Sequence, residues 1–168
     1  QEGHLEVVKW LAGTGGADVN QANNIGATPL YAAADEGELE VVKWLGGKGP
    51  GEGGADVDMA AHGGWTPLLY AIWKGENQVV RVLLRIGADP EVKYNGKTAL
   101  HFAADEGNEM QVGVLVGEGR ASVLVRDPEG RTAADIAQEG GYVNLAGYLR
   151  SMEPLERRRR WRARAAGR

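Results

Sequence analysis

Apolar residues recur along this chain at the spacing of an α-helix, in short sets separated by glycine. Val41, Val42 and Leu45 form one set, and Val79, Val80, Leu83 and Leu84 another. Ahead of these stands a shorter segment of small residues, seen most plainly in Leu30-Tyr31-Ala32-Ala33-Ala34. The pattern predicts pairs of helices, a short first one and an amphipathic second one. The punctuation agrees. Thr28 and Thr66 stand where an N-cap belongs, with Pro29 and Pro67 just inside the helix start, where a missing N–H costs nothing. Nine residues after each Thr a glycine, Gly37 or Gly75, ends the first helix and turns the chain.

The same grammar returns twice more. Gly96-Lys97-Thr98-Ala99-Leu100-His101 and Gly130-Arg131-Thr132-Ala133-Ala134-Asp135 align with Gly26-Ala27-Thr28-Pro29-Leu30-Tyr31 and Gly64-Trp65-Thr66-Pro67-Leu68-Leu69. Gly107 and Gly141 again follow nine residues after Thr. The four threonines are 38, 32 and 34 residues apart, a period of about 33. Ala-Asp-Val-Asn at 17–20, Ala-Asp-Val-Asp at 55–58 and Ala-Asp-Pro-Glu at 88–91 close the units. Gly3 to Leu11 repeats Gly37 to Leu45 almost letter for letter, so the chain is expected to open inside a repeat.

These Thr-Pro-Leu and Gly-Ala-Asp signatures, across about residues 1–150, resemble the ankyrin repeat family. The resemblance implies an all-α solenoid of stacked helix–turn–helix units. β-Turn loops project from one edge, and a concave face binds other proteins. One 33-residue unit cannot bury its own apolar face, so neighbours must supply the core. The expected layout is a partial repeat over 1–22, repeats over 23–60, 61–92 and 93–126, a capping repeat over 127–153 and an Arg-rich tail over 154–168. A Gly-rich insert, 46–54, lengthens the first full repeat and accounts for the spacing of 38. Arg150, where earlier units have Leu84 and Val116, gives the last unit the polar outer face of a finished end. Pro154 is expected to stop the last helix.

Composition narrows the chemistry. With 43% hydrophobic and 25% charged residues the chain reads as soluble and globular, and glycine, 26 of 168, is about double ordinary usage. No cysteine is present, which removes disulfides, thiolate zinc sites and a cysteine nucleophile. No apolar run approaches a membrane span. The expected setting is cytoplasmic, with a nuclear one raised by the tail. The formal charge of −4 hides two objects. Residues 154–168 hold seven Arg and one Glu, and the rest is strongly acidic.

No enzyme emerges. Gly49-Pro50-Gly51-Glu52-Gly53-Gly54 fits G-x-G-x-x-G in letters, but it follows a helix and precedes a loop, so it reads as a flexible insert. His4, His62 and His101 have no partners at metal-ligand or triad spacing. No catalytic residue, metal, cofactor or small-molecule substrate is expected. The family resemblance gives His101 a structural hydrogen bond to the loops, and leaves His62, in a projecting loop, free for a ligand.

A partner surface is the better reading. Trp65 and Tyr94 lie in projecting turns, and Trp73 takes a slot that is Asp35 and Asp105 elsewhere. On the family's fold these three cluster centrally with His62, Lys74, Lys97 and Tyr70, as interface anchors do; packing between repeats is the plainer alternative for Trp73 and Tyr70. Asp35-Glu36 and Asp105-Glu106 would rim the patch and steer a basic partner segment. Trp10 and Trp44 share a second-helix slot and read as packing residues. The tail, with Arg157, Arg158, Arg159, Arg160, Arg162 and Arg164 around Trp161, has four readings. It is a solvated tail, a nuclear-import signal, a contact for nucleic acid or an anionic surface, or a segment docked back on the acidic body. The favoured function is a non-enzymatic protein-interaction module. The alternatives are anionic-partner binding through the tail, or the targeting module of a larger enzyme.

Overall fold

The computed structural model describes residues 2–47 and 53–166. Most of the Gly-rich insert and the side chain of Arg164 lie outside the described residues. The helices are α1 (Glu2–Gly13), α2 (Pro29–Asp35), α3 (Leu39–Gly46), α4 (Pro67–Lys74), α5 (Asn77–Ile86), α6 (Ala99–Asp105), α7 (Glu109–Gly117), α8 (Ala133–Glu139) and α9 (Val143–Ala166). Two strands of two residues, β1 (Lys93–Tyr94) and β2 (Lys97–Thr98), form an antiparallel hairpin. Its Asn95 and Gly96 both have positive φ, the conformation a two-residue hairpin turn requires.

The chain divides into two compact units, Gln1–Asp89 and Pro90–Arg168. In the first, α2 packs on α4 and α3 on α5, so equivalent helices of successive repeats lie side by side. Leu30, Ala34, Val42, Leu45, Leu68, Leu69, Ile72, Val80 and Leu83 fill the space between them. In the second, α6 packs on α7 and α8, and α8 on α9, around Leu100, Val112, Leu115, Leu145 and Leu149.

The predicted caps form. Thr28 Oγ1 accepts from the N–H of Tyr31 at 3.1 Å, and Thr66 Oγ1 from that of Leu69 at 3.3 Å. Each such cap contributes about 1 kcal/mol. Successive loops are tied by a ladder through the Ala-Asp segments. Asn20 Oδ1 accepts from the Asp56 N–H at 2.8 Å, Asp58 Oδ1 from the Asp89 N–H at 3.0 Å, and Glu91 Oε1 from the Ser122 N–H at 2.6 Å.

Two expectations fail here. Pro154 does not end the last helix, which runs on to Ala166. A proline inside a helix costs about 3 kcal/mol, and an anchor just beyond it offsets that loss. Glu156 Oε1 accepts from the Ser122 hydroxyl at 2.7 Å and Oε2 from the Val123 N–H at 2.9 Å. Arg160 closes the network, donating from Nε to Glu156 at 2.8 Å and from Nη2 to Ser122 at 2.7 Å. The tail is thus a helix whose first turns dock on the second unit. Trp10 and Trp44 also diverge. Trp44 is half-buried beside Gly53, whereas Trp10 is 63% exposed, although the loops after α1 and α3 return to their helices through matching bonds, Gly15 N–H to the Trp10 carbonyl and Gly53 N–H to the Trp44 carbonyl.

Candidate partner-binding surface

In the first unit, α4 carries Tyr70, Trp73 and Lys74 at positions i, i+3 and i+4, which share one helix face. The turn before it runs from Ala61 to Trp65, closed by the Ala61 N–H donating to the Trp65 carbonyl at 2.9 Å. This turn sets the Trp65 indole against α4. Trp65 meets Tyr70 edge-on with ring centres 6.2 Å apart, and Trp73 at the same distance. Tyr70 lies 5.5 Å from Trp73 and 4.9 Å from Tyr31 on α2. Four rings therefore run in a chain across two repeats, from buried Tyr31 through half-buried Tyr70 and Trp65 to Trp73, which is 54% exposed. Tyr31 rests on Ala27 and Ala61. Burial, with Tyr70 and Asp35 nearby, pushes its hydroxyl pKa up to about 12.

Charge sits beside the rings. Lys74 Nζ is 3.1 Å from Asp35 Oδ1 and 5.8 Å from the centre of the Tyr70 ring. The hydrogen bond to Asp35 is the main reason its pKa rises. Two residues picked separately as partner contacts, Asp35 and Lys74, are thus bound to each other. Glu36 remains exposed at the end of α2. His62 is exposed in the turn, its backbone N–H donating to the Ile25 carbonyl at 2.9 Å. Its ring lies so close over Gly26 that a Cβ there would fall 2.5 Å from it, and Gly26 has φ of 77°. Glycine is required at that position for both reasons.

Tyr94 is not part of this ring chain. It belongs to the β1–β2 hairpin of the second unit, where its ring centre lies 6.3 Å from Phe102. Phe102 was missed by sequence reading, although it holds the same repeat slot as Tyr70, four residues after the capping Thr. Lys97 is half-exposed on β2, and Asp105 and Glu106 are exposed at the end of α6.

His101 is structural: it bonds the cap of its own helix, and the backbone of Val125 and Arg131 in the following loops also acts on its ring. Nδ1 accepts from the Thr98 N–H at 3.1 Å and lies 2.8 Å from the Thr98 hydroxyl. That leaves the ring proton on Nε2. Burial holds its pKa below the usual histidine value, against the opposing influence of the Arg131 backbone. In the next turn, buried Asp127 accepts from the Arg131 N–H at 2.8 Å, from its Nε at 3.0 Å and from its Nη2 at 2.8 Å. Burial would raise the Asp127 pKa, but the hydrogen bonds from Arg131 outweigh it and hold the carboxyl below the usual aspartate value. Among the described residues no group of three or more His, Asp or Glu is placed to hold a metal ion, and no helix is long and apolar enough to cross a membrane.

On the tail, Arg160 is committed to Glu156, and Arg157 lies 3.7 Å from Glu153. Arg158, Arg159 and Arg162 are exposed, as is Trp161.

The sequence matches a family model described as ankyrin repeats in three copies over residues 1–94, and one described as an ankyrin repeat over residues 95–128. The chain belongs to the ankyrin repeat family. Its fold is accordingly the all-α ankyrin solenoid, a non-catalytic interaction fold whose repeats generally serve protein–protein contact. α8 and α9 lie beyond the matched residues. Among curated proteins the chain is similar to calmodulin-binding transcription activators 4 and 5 of Arabidopsis thaliana, 44% and 48% identical over 59 residues, and to activator CBT of Oryza sativa subsp. japonica, 47% identical over 60 residues. Each match covers about a third of this chain and spans only 6% of the relative's length.

Proposed function

We propose that this ankyrin chain binds a partner protein segment on the face formed by the Ala61–Trp65 turn and helices α2 and α4. Trp73 is the anchor. The observation that carries this reading is a large ring, 54% exposed, held in place by Trp65 and Tyr70. An aromatic fixed by its neighbours loses little freedom on binding, which is what an interface anchor needs. Glu36 at the edge, with His62 and Trp65 in the turn, favours a segment of basic and apolar residues. Tyr94, Lys97, Asp105 and Glu106 offer a second, smaller contact of the same kind on the other unit. The test is capture from a cell lysate by wild type and by Trp73→Ala, followed by calorimetric titration with the protein identified. Trp73→Ala is expected to keep its helices by circular dichroism and to weaken binding by about 2 kcal/mol, some thirtyfold. Equal affinity would remove Trp73 as the anchor.

A second reading rests on the tail. Exposed Arg158, Arg159, Arg162 and Trp161 on α9 fit an import receptor or an anionic surface. The relatives' names describe transcription activators, and a nuclear address would suit this chain too. A fluorescent fusion with and without residues 154–168 tests it, with loss of nuclear accumulation expected on deletion.

A further inference from the structure

The loops after the second helices share one backbone device, and one repeat breaks its sequence rule. The residue before Ala17, Ala55 and Ala88 is Gly16, Gly54 or Gly87, with φ of 66°, 64° and 106°. Before Ala121 the same slot, again with positive φ at 55°, holds Arg120. An L-residue is disfavoured there and glycine is not. A side chain retained at such a position points to a role for that side chain. Arg120 is exposed and has no ion pair or hydrogen bond among the described residues. It lines a groove of about 750 Å³ between α7 and α9.

The groove has an apolar floor and a cationic rim. Tyr148, Met152 and Leu155 follow one another at spacings of four and three, a single stripe along α9 that faces Val116 of α7. Leu155 is 49% exposed although it lies in this groove. Arg159 continues the stripe, and a smaller depression beside it is lined by Leu155, Arg158, Arg159 and Arg162. The groove's one carboxylate, Glu156, is taken up by Ser122, Val123 and Arg160. Arg120 and Arg159 therefore present uncompensated positive charge over exposed aliphatic surface. Past Tyr148 lies a separate depression lined by Glu109, Gly113, Asn144 and Leu145, where the missing side chain of Gly113 leaves open space.

We propose that this groove binds an acidic amphipathic peptide segment, its carboxylates on Arg120 and Arg159 and its apolar side chains on Tyr148, Met152 and Leu155. A nucleic acid would satisfy the arginines and leave the aliphatic floor unused. A basic segment, the class expected on the Trp73 face, would be repelled.

The test uses the full chain at about 150 mM salt and a fluorescein-labelled 14-residue peptide of Glu and Asp with Leu and Phe at positions i, i+3, i+4 and i+7. The controls are the same peptide with Ser for every Leu and Phe, and a single-stranded oligonucleotide. Saturable binding of the first peptide is expected, at least about tenfold tighter than either control. Arg120→Gly should weaken that binding about tenfold while raising Tm by roughly 2–4 °C, since it restores the residue the backbone prefers. Leu155→Ser should weaken it with helical content retained, and Trp73→Ala should leave it unchanged. An unchanged affinity in Arg120→Gly overturns the proposal. So does a fall in its Tm, which would make Arg120 a structural residue. Equal binding of the Ser peptide or the oligonucleotide would reduce the groove to a plain anionic contact, and no saturation by about 1 mM would leave it without the proposed occupant.

Discussion

The two units carry out one repeat plan with different chemistry. In the first, helices α2 and α4 start with Pro29 and Pro67 behind a capping Thr, and the residues three after the cap, Tyr31 and Leu69, cannot return a hydrogen bond. In the second, Ala99 and Ala133 replace the prolines, and the residue three after the cap reaches back. His101 Nδ1 accepts from the Thr98 N–H, and Asp135 Oδ2 accepts from the Thr132 N–H at 2.9 Å. Proline pre-sets the backbone, whereas a reciprocal cap holds it with side chains that titrate. The same contrast runs through the loops. Asn23 Oδ1 accepts from the N–H groups of Ile25 and Ala27 in the first unit, while charged Asp127 grips Arg131 in the second, with Glu129 and Glu139 on the same guanidinium. A neutral cap makes a repeat indifferent to acid, and an ionisable one makes it a pH-dependent element.

The sharpest break of this comparison is Asp127→Ala against Asn23→Ala. Removing Asp127 leaves the Arg131 N–H and guanidinium without their buried acceptor, at a cost of about 2–3 kcal/mol. A fall in Tm of roughly 5–10 °C is expected by calorimetry. Asn23→Ala removes two neutral hydrogen bonds, one exposed and one half-buried, at a cost of about 1 kcal/mol. Equal losses would erase the distinction between the units.

Acid should separate them next. His101 is held below its ordinary value of 6.5. Its contribution is therefore complete above pH 6.5 and is lost as pH falls below that, because the unfolded chain takes up the proton first. Asp127 and Asp135, both held below 3.8, add a further loss under about pH 4. In the first unit Asp58 is raised above 3.8 by burial, so acid relieves rather than strains it. Tyr31, with its pKa pushed to about 12, keeps its contribution up to about pH 10 and loses it between there and 12. Hydrogen exchange read by peptide should show the second unit opening first between pH 7 and 5. Faster exchange in the first unit over that range would reverse the argument.

The smallest effect is a gain. Gly113 and Gly147 lie inside α7 and α9, and an added Cβ at either meets nothing within 4 Å. Gly113→Ala and Gly147→Ala should each add about 1 kcal/mol and raise Tm by roughly 2–4 °C. No rise would mean that neither glycine weakens its helix.

The repeat was legible because its signals are local. Thr28, Thr66 and Thr132 cap helices within three residues of themselves, and the glycines that end the first helices act through their own φ. The candidate surface was legible only in part. Trp65, Tyr70 and Trp73 lie within one turn and one helix, and the family resemblance placed them together with Tyr94 on one face. Tyr94 occupies a corresponding turn, yet its ring pairs with Phe102. No local rule says which ring an aromatic will choose. Trp10 and Trp44 are one residue type in one slot, yet one is 63% exposed and the other half-buried.

The order of elements, the caps, the period and the acidic body with its basic end were set by the sequence by itself, since each follows from the preferences of residues close in the chain. Only the tertiary structure decided that α9 passes through Pro154, that Lys74 spends its charge on Asp35, and that Arg120 stands over an open groove. The first two balance a local cost or an isolated charge against a partner about 30 or more residues away, and the third depends on how α7 and α9 pack. Such a balance is settled by packing, which sequence distance does not reveal.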